Sequence, residues 1–141
     1  MVRAEPAEGV AGGPAAQASA LVSGQDTVIL VALNLNIETE WSGRDAEGLR
    51  SYEPVDATVE LALPEWIEPS EVFAVSEAGI EGLSPARDGR KLTFDLPGLA
   101  IERVIVVTAD PEVRTRMQER LAQMQERLRA MEAHAPVPLA E

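Results

Sequence analysis

The chain has 141 residues and a mass of 15.1 kDa, enough for one domain with an appended tail or helix. It holds no cysteine and a single histidine, His134, which excludes disulfides, thiolate nucleophiles and Cys/His zinc sites within it. Asp and Glu total 24 against 12 Lys and Arg, and the net charge of −12 argues against nucleic-acid and anionic-membrane partners, which need clustered cations.

Residues 1–17 are rich in Ala, Gly and Pro, have no hydrophobic period, and read as a flexible tail or linker. Residues 20–23 are a short strand candidate, closed by the polar turn Gly24-Gln25-Asp26. Residues 27–35 (TVILVALNL) form a continuous apolar run, the mark of a strand covered on both faces. Residues 37–55 are a long polar connection, of a length that is usually functional or mobile.

Residues 57–63 alternate, with Val59, Leu61 and Leu63 on one side and Thr58, Glu60 and Ala62 on the other. That is the pattern of a half-buried strand, and Pro64 ends it. Residues 72–75 are a short strand, and Gly79 and Gly82 punctuate the stretch after it. Asp88-Gly89 signals a tight turn into residues 91–96, where Leu92, Phe94 and Leu96 alternate with polar neighbours. Pro97-Gly98 reads as another turn, and residues 101–108 (IERVIVVT) as the second strongly apolar strand.

Short strands with no helix between them pair antiparallel, because parallel pairing needs crossover helices. The expected fold is all-β: an antiparallel two-layer β-sandwich of immunoglobulin-like size over residues 18–109. An amphipathic helix over residues 110–135 comes next, then a loose tail at 136–141. Asp110, Pro111 and Glu112 suit a helix start by capping, fixed φ and dipole charge. Val113, Met117, Leu121, Met124, Leu128 and Met131 then recur at spacings of three and four, and QERLAQM is nearly repeated as QERLRAM. This stripe is the candidate interface, either a short coiled-coil seam or a face laid on a neighbouring surface. In both cases Leu121 and Leu128 are expected to be buried.

The helix is nearly neutral, with five Arg against four Glu over residues 111–134. Residues 25–90 hold fourteen acids against four Arg, a net of −10. The acids are scattered without the spacing of a calcium loop and read as solvated surface. Glu38, Glu40, Asp45, Glu47 and Glu53 lie near Trp41 and Tyr52, but spacing within a loop fixes neither the distance nor the pKa that paired catalytic carboxylates need. Trp41, Tyr52 and Trp66 are three of five aromatics and the candidate sugar-stacking residues. Their plainer roles are a core plug for Trp66 and a contact with a neighbouring domain for Trp41. His134 is expected in solvent. No catalytic residue, metal ligand or cofactor site is predicted.

TVILVALN ending in Asn34, VELALPEW, VFAVSEAGIEGL and KLTFDLPGLAIERVIVV occur in that order. Together they resemble the C-terminal β-sandwich domain of bacterial glycoside hydrolases of the beta-galactosidase and alpha-amylase kind. The resemblance covers residues 27–108, and the helix after Asp110 departs from it. It implies a non-catalytic accessory domain of a carbohydrate-active enzyme, packed on a catalytic barrel domain or associating through the helix. Two alternatives stay open: a carbohydrate-binding module using the exposed aromatics, and a stand-alone oligomerisation scaffold driven by the helix. No apolar run reaches the roughly 18 residues of a membrane span. Residues 1–20 lack the regions of a secretory signal, so the cytoplasm is the default expectation.

Overall fold

A computed structural model describes residues 2–6, 16–40 and 49–134; for residues 2–6, 37–40 and 49–52 it describes strand positions without side chains. Among the described residues there are three sheets, and every pairing in them is antiparallel. The first comprises β1 (Val2–Pro6), β6 (Val55–Ala62), β10 (Lys91–Leu99) and β9 (Ala86–Asp88), in that spatial order. The second comprises β2 (Ala16–Ser23), β3 (Thr27–Asn34), β11 (Glu102–Thr108), β7 (Glu71–Ser76) and β8 (Gly79–Gly82). β4 (Ile37–Glu40) and β5 (Leu49–Tyr52) make a separate hairpin. The helix α1 (Val113–Ala133) closes the described chain. The architecture is consistent with a β-sandwich bearing a C-terminal helix.

The core follows from strand periodicity. Alternate residues of a strand share a face. Val55, Ala57, Val59 and Leu61 of β6 are buried with Leu92, Phe94 and Leu96 of β10. Val28, Leu30 and Ala32 of β3, with Ile105 and Val107 of β11, belong to the same hydrophobic cluster, so one core draws on both large sheets. The second sheet is apolar on its other face as well. Leu21, Ile29, Val106, Phe73 and Gly82 stand in register across its five strands. Phe73 and Val106 are fully buried there yet lie outside the main cluster. The apolar run of β11 is therefore covered on both faces at Ile105, Val106 and Val107. The outer face of β3 is only half-buried at Ile29 and Val31 and exposed at Leu33, which corrects the reading of that strand as covered twice.

Several expectations are corrected. Residues 2–6 are not tail but edge strand β1, paired with β6. Edge pairing uses backbone groups and needs no apolar period, so composition hid it. β2 likewise begins at Ala16, inside the stretch read as linker. The connection 37–55 contains the β4–β5 hairpin. β8 forms between glycines read as punctuation, Gly79 taking a φ of 144° open mainly to glycine. Pro97 and Gly98 are not a turn between strands but a bulge within β10, where the register shifts between Leu96 and Leu99 and Gly98 has a φ of 63°.

Candidate functional site

The entry to α1 is bolted to the β2–β3 turn. The Thr27 hydroxyl donates to Asp26 at 2.9 Å, so the buried Thr108 hydroxyl donates its proton to Thr27 at 2.8 Å. Thr108 Oγ1 accepts the Asp110 N–H at 3.1 Å, and the Ala109 N–H reaches Asp26 O at 2.8 Å. The direction in which the chain leaves β11 is fixed by these bonds. α1 starts two residues later than the sequence implied, at Val113, with Glu112 as the capping residue and no side-chain cap. Asp110 instead accepts the Glu112 N–H at 2.9 Å and pairs with Arg116 at 2.6 Å. The Glu112 N–H, followed by the Arg116 side chain, holds the Asp110 carboxyl below its ordinary value.

α1 lies beside β8. Arg114 stands over Gly82, with Nη1 3.7 Å from where a β-carbon there would be. Gln125 Nε2 donates to Glu77 O in the β7–β8 turn at 2.9 Å. Val113, Met117, Leu121 and Gln125 are half-buried, one helical turn apart. Arg114 over Gly82, the register partner of Phe73, puts this row on the side of the sheet where Phe73 and Val106 are fully buried.

Past Gln125 the helix continues without support. Residues 126–133 are all exposed and extend about 12 Å at 1.5 Å per residue. Met124, Leu128 and Met131 are 59%, 56% and 69% exposed. The expected burial of Leu128 is thus corrected: no residue of α1 is fully buried, Leu121 is half-buried and Leu128 lies in solvent. The physical reason is length, since the helix outruns the sheet it rests on. The six stripe residues split into a covered half and an uncovered half.

Tyr52 and Trp66 are not brought together. Trp41 lies outside the described residues. Tyr52 precedes β6 and Trp66 comes after it, at opposite ends of an eight-residue strand spanning about 25 Å. Trp66 is no core plug. It is 68% exposed, while the next residue, Ile67, is fully buried and anchors the turn. Arg90 Nη2 donates to the carbonyls of Pro64 and Ile67 on either side of it. Glu68 bridges Arg87 at 2.8 Å and Arg90 at 3.1 Å, and these cations, Arg87 first, hold its carboxyl below the ordinary value. Arg87 and Arg90 flank a turn, and nothing in their spacing marked them as a brace for Trp66. His134 is exposed at the end of α1, its Nδ1 2.7 Å from Ala130 O.

Among the described residues, no group of three or more His, Asp or Glu side chains is placed to hold a metal ion. No described helix is long and apolar enough to cross a membrane. Comparison with protein-family models, curated proteins and solved structures finds no match.

Proposed function

We propose that the chain is an accessory interaction module. Its two large sheets stack as the layers of an immunoglobulin-sized sandwich, and the distal half of α1 docks on a second surface. The observation that supports this is the uncovered run of Met124, Leu128 and Met131, which continues a stripe already used for packing. Exposed methionine and leucine on a near-neutral helix attached to an acidic body form the adhesive part of the molecule. The resemblance to accessory domains of glycoside hydrolases supplies one partner, a catalytic barrel; self-association is the other mode.

Sedimentation across a concentration series tests the helix. The chain is expected to gain mass above 15.1 kDa with concentration. The triple variant Met124→Gln, Leu128→Gln, Met131→Gln is expected to stay monomeric with unchanged melting. Identical sedimentation of the two proteins removes self-association from the reading.

A second reading rests on Trp66, a rigidly held exposed aromatic of the kind that stacks on sugar rings. In a Trp41→Phe background the fluorescence belongs to Trp66 alone. Saturable change on saccharide titration, together with a calorimetric binding signal that Trp66→Ala loses, supports carbohydrate binding; a flat titration across a saccharide panel ends it.

A further inference from the structure

β10 is paired along one edge throughout and along the other only in part, since β9 covers residues 91–93. The Leu63 N–H donates to Arg90 O at 2.7 Å, which sets the phase: even-numbered residues of β10 turn their backbone groups toward β6. Odd-numbered residues turn the other way, so beyond Thr93 the backbone groups of Asp95 face away from β6, ahead of the bulge. A groove of about 450 Å³ runs along this edge. It is lined by Leu83 and Ala86 on one side, by the buried residues Phe94, Leu96 and Leu99, and by Arg103 of β11.

Arg103 gives the groove its chemistry. It stands in register with Ala32, a core residue, so its side chain is on the core-facing side of the second sheet. Its Nη2 pairs with Glu81 at 2.9 Å, while its Nε is buried without a hydrogen-bond partner among the described residues. An unpaired buried donor is costly and invites an acceptor. Glu81 is 70% exposed, so exchanging that ion pair for another costs little. Asp95 also lines the groove, but its carboxylate is engaged by the Thr58 hydroxyl at 3.2 Å on the outer face of the first sheet. Glu102 stands exposed beside Arg103 and disfavours a multiply charged guest.

An added peptide strand fits poorly. Pro97 offers no N–H, and the bulge at Gly98 breaks the register beyond it, which are devices that guard an edge against pairing. The volume instead falls among small-molecule sites, which are mostly apolar with a few placed polar groups. We propose that this groove binds a small amphipathic monocarboxylate. The apolar body lies on Phe94, Leu96 and Leu99, and the carboxylate accepts the Nε–H and an Nη–H of Arg103 in the two-pronged geometry that guanidinium favours. The site is separate from the helix stripe and does not depend on its role.

Decanoate, below its micelle concentration, is the probe, titrated into the full chain and followed by amide NMR shifts. Saturable shifts are expected in residues 83–86 and 93–103. Decan-1-ol is expected to bind about tenfold more weakly, because it lacks the charge. Arg103→Gln brings decanoate to the level of the alcohol, and Leu83→Trp, which enlarges a half-buried side chain on the groove wall, abolishes both. Arg103→Lys keeps the charge, removes Nε–H and lies between, which holds the test open should the Gln variant fold poorly. The proposal is overturned by shifts that do not saturate, by shifts centred on residues 121–131, or by wild-type affinity in the Gln and Lys variants.

Discussion

Asn34 is 2% exposed in an apolar surrounding, and its side chain is fully engaged. Nδ2 lies 2.8, 3.1 and 2.6 Å from the carbonyls of Glu53, Leu99 and Ala100, its two hydrogens serving all three with one shared, and Oδ1 accepts the Asn36 N–H at 2.8 Å. One amide thereby ties the end of β3 to the chain before β6 and to the β10–β11 connection. Asn34→Leu leaves these groups unpaired, so urea denaturation is expected to show a loss of about 2–4 kcal/mol. Asp110 makes a second prediction. Its folded pKa lies below the ordinary 3.8. Its contribution is therefore complete above that value and lost as pH falls through the folded pKa. Acid titration followed by the Glu112 and Arg116 amides is expected to show the first turn of α1 loosening below about pH 4. Asp110→Asn loosens that turn at neutral pH and flattens the profile.

At the scale of elements, legibility tracked how much the local pattern decides. β3 and β11 were plain as strands because Val, Ile and Leu occupy successive positions, although β3 is fully covered on one face only. β6 and β10 were plain because their alternation reports one buried face. β1 and β8 were not, since one pairs at an edge and the other is bounded by glycines. Pro97-Gly98 carries the same signal in a bulge as in a turn, and only the continued pairing of Leu99 with Val55 tells them apart. The stripe on α1 was legible as a period. Which half of it is covered depends on where the β7–β8 turn ends in space, and no period encodes that. The site residues divide in the same way: Trp66 stood out by type, whereas the Arg90 brace is a contact between distant segments.

For the whole molecule, the second sheet is the keel. One face closes the main core, and on the other Phe73 and Val106 are fully buried while Leu21 and Leu33 are exposed. Ending the chain at Asp110 uncovers Phe73 and Val106 beside Ile29 and the already exposed Leu21, a contiguous apolar surface. Such a chain is expected to bind an apolar dye such as anilinonaphthalene sulfonate strongly and to aggregate, while retaining its strand circular dichroism. Dye binding equal to that of the full chain would show that α1 does not cover this face. The charge reinforces the asymmetry. Ten of the twelve net negative charges fall within residues 25–90, so bodies repel and contact is left to the near-neutral helix.

The unsupported end of α1 has a consequence for the entropy of recognition. A short helical segment without tertiary cover ordinarily frays, and a partner must then spend part of its binding free energy on ordering it. Residues 126–133 read ERLRAMEA, in which every residue is a strong helix former and none is β-branched, Gly or Pro. The first turns, fixed by Thr108 and Gln125, supply the nucleus from which this segment propagates. Leu128 and Met131 thus stand with their backbone conformation already chosen, and the partner proposed for this stripe would meet a surface organised before it arrives.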